Sequence, residues 1–502
     1  MSLPSWLHFS AVSGSGDTII TITADTYTGL TDREIDLIIS GITKSVTVPV
    51  LQYNQYVAEY LTFDIKSNGY IYLSRPFTNV SVSAVTISYS INGGDWVEYT
   101  TDEYKKRINV SAGDVIRFKG LNSRYAYSQG DYTRFNCFGG TATFDVHGNI
   151  MSMIYGDDFE DKKTLSEAYA LTGLFYKAPI GNAENLVLPA TALTDYCYMR
   201  LFDSSSVTNP PKVLPNATLA ERCYGSMFSQ CTGLTTSTTV MYATTMAPYC
   251  CHRMYEMCTN LSIPPTLPAT TLAEGCYSGM FEECTSFTTP PVLPATTMAL
   301  GCYSEMFWAC SGLTSTPTLT STTLAQGCYS NMFGYCSSLT TTPVLPATTL
   351  APYCYGGMFS ECSGLTTTHN LPAVTLAEGC YSAMFLDCIS LTTPPAISAT
   401  TLADYACDSM FMGCTSLTTA PELPVATLVN NCYANMFRNC INLNYIKCLA
   451  TDISASGCTR DWVRNVAQSG TFVKDSTMNN WTIGYSGIPV NWIVQDYNTP
   501  AV

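Results

Sequence analysis

The sequence predicts a multi-domain chain in which all-β modules at the N-terminus lead into a solenoid of α/β repeats. Three observations carry that expectation. A unit of 26 residues recurs in ten copies from about Leu186 to Leu443. Runs of β-branched residues with period-two alternation, punctuated by Gly, fill the part before it. Inside each unit, apolar residues at steps of four precede a Pro-bounded segment that cannot be helical.

Residues 1–56 read as a sandwich of short strands. Thr18–Thr23, Glu34–Ile39 and Ser45–Val50 are the strand candidates, and Gly14, Gly16, Gly29 and Gly41 separate them. Residues 57–160 read as a second small sandwich or jelly-roll-like module. Val85–Ile91 alternates, and Asn92-Gly93-Gly94-Asp95-Trp96 is a strong hairpin signal. Ser111–Phe118 reads as a turn and a strand, and Thr141–Val146 as a strand turned by His147–Asn149 into Ile150–Tyr155. The repeat region is set at 161–443, with a degenerate first unit around Leu174-Phe175. Residues 444–502 abandon the period and read as a cap, with a short helix at Asp461–Ala467 and strands at Thr471–Val473 and Trp492–Val494.

One repeat shows how the unit is built. From Leu272, the residues Cys276, Met280 and Cys284 follow at steps of four, with Tyr277 and Phe281 as a second row beside them. On a helix these positions make one buried face. Thr288–Pro294 holds three prolines and allows only a short strand. The Phe of the Met-Phe pair recurs at 228, 281, 307, 333, 359, 385, 411 and 437, and Tyr255 replaces it at the one step with an extra residue. A short strand, a corner, a helix and a return turn make the plan of a leucine-rich repeat, whose units run roughly 20–29 residues.

Two resemblances follow from these residues. Gly16–Ala24, Arg33 and the run from Lys44 to Gln52 resemble the later part of a BACON-type domain, which implies an immunoglobulin-like fold. Cys310-Ser-Gly-Leu313, Cys336-Ser-Ser-Leu339 and Cys414-Thr-Ser-Leu417, each behind an aromatic-centred segment, resemble the BspA-like leucine-rich repeats. That family implies a curved solenoid and surface adhesion. The BACON-type family occurs in Bacteroidetes proteins and their phages, and the order of the second β block, the Leu-Pro-Ala-Thr-Thr-Leu repeats and the Trp-containing end resembles modular proteins of gut Bacteroidetes and their phages.

Composition excludes several roles. Among 502 residues only 12% are charged, and the net charge of −15 argues against nucleic acid, which needs clustered Lys and Arg; no basic stripe stands out. No apolar run approaches the length of a membrane span, so no membrane insertion is expected. Met1–Ser10 has no basic stretch followed by a long apolar one and does not read as a signal peptide. The 23 cysteines follow the repeat and read as buried free thiols acting as small hydrophobes. The tyrosine column at 224, 277, 303, 329, 355, 381 and 433, interrupted by Cys251 and Asp408, reads as core before it reads as a sugar-stacking ladder. Leu293–Thr297 echoes a sortase signal but recurs inside repeats, so it is structural. The acidic corner at Asp157, Asp158, Glu160 and Asp161 lacks the spacing of a calcium loop. The four histidines are scattered, and no phosphate-binding or dinucleotide fingerprint occurs. No catalytic residue, cofactor or metal site is therefore expected.

What remains is recognition. The positions that vary between copies are Glu282 and Glu283, Trp308 and Ala309, Gly334 and Tyr335, and Leu386 and Asp387. These are the candidate recognition residues. The expected function is a non-enzymatic phage tail or fibre protein that binds a host-surface glycan or protein, with other virion subunits or further copies of itself as partners. A bacterial cell-surface adhesin and a purely structural virion component are the alternatives.

Overall fold

The structure, a computed structural model, describes four strands within residues 1–52 and then residues 58–75, 83–126, 134–214, 218–237, 241 and 243–497. In the first segment β1 (Leu7–Phe9) pairs antiparallel with β2 (Ile22–Ala24), and β3 (Arg33–Ser40) with β4 (Ser45–Gln52). The expected strands at Glu34–Ile39 and Ser45–Val50 are there. Residues 18–21 of the first candidate and the four spacing glycines lie outside the described residues.

The second module is built from β5 (Leu61–Ile65), β6 (Gly69–Ser74), β7 (Thr86–Ile91), β8 (Val97–Thr100), β9 (Ile108–Val110), β10 (Val115–Gly120), β11 (Cys137–Gly140), β12 (Phe144–Asn149) and β13 (Leu186–Val187). Six of these form one sheet in the order β13-β12-β5-β10-β7-β8, and three form a second, β11-β6-β9. The sheets meet through Phe138, whose ring lies 4.9 Å from those of Phe63 and Phe118. The Asn92-Gly93 hairpin joins β7 and β8 as its sequence predicts, with Asn92 and Gly93 at φ 51° and 75°. Ile150–Tyr155 is not the expected strand: Ser152–Tyr155 is a four-residue helix, α1, followed by a 3-10 turn at Gly156–Asp158.

The α/β leucine-rich-repeat expectation is wrong. Among the described residues helical backbone is confined to α1, that 3-10 turn and Ala58, and the repeat region contains none. In place of a helix, each unit carries a chain of tight turns with a period of four residues. In the unit at 275–284, Ser278, Met280, Glu282 and Cys284 donate their N–H groups three residues back, to the carbonyls of Gly275, Tyr277, Gly279 and Phe281, at 3.0–3.2 Å. The intervening residues Gly275, Tyr277, Gly279, Phe281 and Glu283 donate sideways, to the carbonyls of Leu300, Cys302, Ser304, Met306 and Trp308 in the next unit, at 2.8–3.0 Å. Every donor of the segment is satisfied, half within the coil and half between coils. An α-helix would keep all of these bonds to itself; the turn chain uses every second one to tie neighbours together.

The backbone conformation follows the same period. Gly275, Gly279 and Glu283 sit at φ 53°, 61° and 59°, and Asn431, Asn435 and Asn439 of a later unit at 51°, 53° and 65°. Left-handed backbone favours Gly and Asn and disfavours β-branched residues, and no Val, Ile or Thr stands at a positive φ among the described residues. The expected helix at Asp461–Ala467 is a further coil of this kind, with Asp461 and Asn465 at φ 53° and 62°.

Aromatic rings form the axis of the stack. From Phe175 through Phe202, Phe228, Tyr255 and Phe281 to Phe437, successive rings lie 5.2–5.8 Å apart and within 22° of parallel. Each such pair adds about 0.5–1.5 kcal/mol beyond the area it buries. At the start the column continues into the second module, since Phe175 lies 6.1 Å from Phe63 and 6.0 Å from Phe138. At its end Trp462, in the register position of Met436, lies tilted against Phe437 at 6.1 Å and is covered by Trp481, 5.7 Å away and nearly parallel. Beyond it β14 (Tyr445–Cys448), β15 (Thr471–Asp475) and β16 (Ile493–Tyr497) close the stack as a parallel sheet.

The cysteines serve this core. All 23 are free and buried. Nine of them, from Cys231 to Cys440, point their thiols at a backbone carbonyl of the preceding coil. Cys310 reaches Phe281 at 3.0 Å, and Cys336 reaches Phe307 at 3.1 Å. A small side chain with a weak donor fits a site that is apolar but holds one carbonyl lone pair. The tyrosine column is likewise core: its seven members are at most 2% exposed, and Tyr277, Tyr303, Tyr329 and Tyr355 stack at 5.8–5.9 Å.

Candidate functional site

With Cys, Met, Phe and the inner Tyr row buried, the variable side chains at the end of each turn chain are left to face outward. The six candidate residues fall on two adjacent columns. Glu282, Trp308 and Leu386 share one, with Gly334 and Ser360 between the last two. Glu283, Tyr335 and Asp387 share the other, with Ala309 and Glu361 in the gaps. The second column is the last left-handed position of each coil: Glu283, Ala309, Tyr335, Glu361 and Asp387 lie at φ 54–60°. Five coils at the spacing of hydrogen-bonded chains extend this surface over about 20 Å.

The columns interact along the stack. The Trp308 and Tyr335 rings meet edge to face at 5.0 Å. The Tyr335 hydroxyl donates to the Glu361 carboxylate in the next coil, and Tyr335 itself is 41% exposed. Gly334 makes room for this arrangement: a Cβ there would sit 3.0 Å from the Trp308 ring and 3.2 Å from the Ser360 hydroxyl. Burial, with Glu361 nearby, raises the Asp387 carboxyl above its ordinary range.

Glu282 differs from its column mates because it is mostly covered. The Arg253 guanidinium lies 2.9 Å from Glu256, 3.2 Å from Glu282 and 3.8 Å from Glu305. Burial pushes the Glu282 carboxyl up to about 7, against the pull of Arg253. Glu282 therefore belongs to a charge network that spans three coils, whereas Trp308 and Tyr335 are the members that offer ring surface to solvent.

Two features escaped the sequence reading. A second set of outward tyrosines, Tyr249, Tyr353 and Tyr405, occupies the first left-handed column. Tyr249 donates to Glu274 at 2.8 Å and Tyr353 to Glu378 at 3.0 Å. Tyr249 and Tyr353 lie over Gly275 and Gly379 of the next coil, where a Cβ would meet the ring at 2.3 Å in each case. The second feature is a cluster of cations on the second module, at Arg75 and Lys105–Arg107, which corrects the expectation that no basic patch exists. Three consecutive cations in a chain with only 23 were its sequence signal.

The acidic corner is partly neutralised. Asp157 takes both carboxylate oxygens to the Lys119 ammonium at 2.8 and 2.9 Å and accepts from the Tyr60 hydroxyl at 2.7 Å. Among the described residues no group of three metal-ligating side chains converges, and no helix is long and apolar enough to cross a membrane.

Fold and surface together define a stacked-coil scaffold of nearly all-β character, displaying side chains in register every 26 residues. Residues 1–52 match the BACON family, described as "Putative binding domain, N-terminal". No curated protein and no solved structure matches the chain.

Proposed function

We propose that the chain is a non-enzymatic recognition protein of a phage virion, a tail or fibre component that binds a bacterial-surface glycan or protein. The observation that supports recognition best is the Trp308–Tyr335–Glu361 row. Two aromatic rings and an acceptor from successive coils lie side by side on a scaffold whose own chemistry is consumed in packing. Rigid aromatic anchors lose little entropy on binding and commonly dominate interfaces. The BACON match at residues 1–52 adds a second binding module. The virion assignment draws on the resemblance to modular proteins of Bacteroidetes phages.

Binding of the purified protein to Bacteroidetes cells tests the reading. Replacing Trp308 and Tyr335 together by Ala should weaken that binding at least about tenfold while leaving the melting temperature unchanged. Periodate treatment of the cells separates glycan from protein receptors. Antibody labelling of virion tails separates a virion protein from a bacterial adhesin. A virion protein that binds no cell would instead be purely structural.

A further inference from the structure

The chain carries 23 cations against 38 carboxylates, and elsewhere in the second module and the stack cations such as Lys66, Lys119, Arg200 and Arg253 have carboxylates beside them. Four do not. Arg75, Lys105, Lys106 and Arg107 form no ion pair among the described residues, and each lies over a tyrosine ring instead. Arg107 sits 4.3 Å from the centroid of Tyr70, Lys105 5.3 Å from Tyr72 and 5.2 Å from Tyr104, Lys106 5.5 Å from Tyr99, and Arg75 5.6 Å from Tyr104. The Arg75 Nε–H is buried and has no acceptor. Lys105, Lys106 and Arg107 line one cleft, with Glu103 on its wall, and form no ion pair there, so an anion entering it would find unused donors.

Three of the four cations share a cleft. Tyr70, Glu103, Tyr104, Lys105, Lys106 and Arg107 line a cleft of about 570 Å³, within the range of roughly 300–1,000 Å³ that small ligands occupy. The loop that carries the cations is held from below. Tyr99 is buried, with its hydroxyl 2.7 Å from the Lys106 carbonyl and 3.0 Å from that of Leu73. The Ser74 hydroxyl accepts the Lys105 N–H at 3.0 Å, and Lys105 itself is left-handed at φ 54°. Strands β6 and β9 fix the two walls, with Tyr70 opposite Asn109.

We propose that this cleft is a subsite for an anionic sugar, one that bears a carboxylate as in a uronic acid or a phosphate ester. The Arg107 guanidinium supplies planar donors for either anion, Lys105 and Lys106 add charge, and Tyr70 and Tyr104 offer ring surface and hydroxyls to the sugar. A long nucleic acid fits less well, because four cations span few phosphates and the net charge of −15 repels a polyanion beyond them. The assignment rests on the glycan reading above and places part of it outside the repeat stack.

Calorimetric titration of the full chain at low salt decides it, with trigalacturonate, mannose 6-phosphate and maltotriose as probes. Binding of the first or the second, and not of the neutral maltotriose, is the expected result; which of the two binds tells carboxylate from phosphate. Lys106→Glu with Arg107→Glu should reduce the affinity at least tenfold. Both side chains are exposed, so the melting temperature should not move. Tyr70→Ala should weaken binding without changing charge, which a purely electrostatic attraction would not show. Failure of both anionic sugars to bind, equal binding of maltotriose, indifference to the charge reversal, or tighter binding of a short oligonucleotide of equal charge would each overturn the subsite. None of these outcomes touches cell binding through Trp308 and Tyr335, which is measured separately.

Discussion

Raising the pH from about 8 to about 10.5 should unfold the repeat stack in one cooperative transition. The nine thiols from Cys231 to Cys440 are fully buried. Burial pushes Cys310, Cys362 and Cys440 up to about 12 from the ordinary 9.0, and the other six move in the same direction. The folded chain then holds protons that the unfolded chain releases near pH 9. Because the folded pKa is raised, the contribution is fully present below pH 9 and is lost as the pH climbs toward the folded value. One pH unit above 9, each thiol costs about 1.4 kcal/mol, and nine together approach the ~5–15 kcal/mol that stabilises an ordinary domain. The buried tyrosines Tyr277, Tyr303 and Tyr329 are also raised above their ordinary value and add to the loss above pH 10. Circular dichroism and thiolate absorbance followed through the same titration should share a midpoint. A chain that keeps its signal to pH 11 would show that the thiols are not sealed in the stack.

The sequence made the stack legible and misread its backbone. The 26-residue period, the buried cysteine and tyrosine rows and the outward variable positions all follow from which side chains recur. The helix did not. Cys276, Met280 and Cys284 stand at steps of four, and over so short a segment a period of 4.0 hardly differs from the helical 3.6, drifting by about 40° per step. The residues between them held the discriminating signal. Gly275 and Gly279 in one unit, and Asn431, Asn435 and Asn439 in another, would each weaken a helix by roughly 0.5–1 kcal/mol relative to Ala. Their spacing of four is what a left-handed residue in every turn demands. The outward tyrosines were hidden for a related reason: the column that holds Tyr249, Tyr353 and Tyr405 holds Gly at 275, 301, 327 and 379, so Tyr does not recur from one unit to the next along it. The cations of the second module are separated in sequence, with Arg75 on the end of one strand and Lys105–Arg107 before another. Only the pairing of β6 with β9 brings them together.

A single residue inserted into a turn chain should be far more damaging than the removal of an entire unit. Consider Ala inserted between Tyr303 and Ser304. Every later residue of that coil shifts by one, so the left-handed position falls on Ser304 in place of Glu305, and Phe307 leaves the ring column that it shares with Phe281 and Phe333. Three lateral bonds on each side, such as Phe281 to Met306 at 3.0 Å and Phe307 to Met332 at 2.9 Å, lose their partners. Burying those groups unpaired and vacating one aromatic site costs at least about 5 kcal/mol, enough to split the stack at that coil. Deleting residues 301–326 as a block instead joins Leu300 to Gly327, and the lateral bond from Gly275 then meets the same carbonyl position as before. The shortened chain should melt as a single folded species with a slightly lower midpoint, as expected when each coil contacts only its neighbours. The chain already contains the control for this contrast. Between Phe228 and Tyr255 the step is one residue longer, yet the lateral bonds persist: Phe228 donates to Met254 at 2.9 Å, 26 residues ahead, where Phe281 reaches 25 ahead to Met306. The extra residue falls between the turn chains that end at Gln230 and begin at Tyr249, where no left-handed period has to be kept. An Ala inserted after Ser315, in the equivalent connection of a later unit, should therefore be tolerated with a melting temperature close to that of the parent. Comparable destabilisation by the two insertions would mean that the four-residue period does not govern the fold.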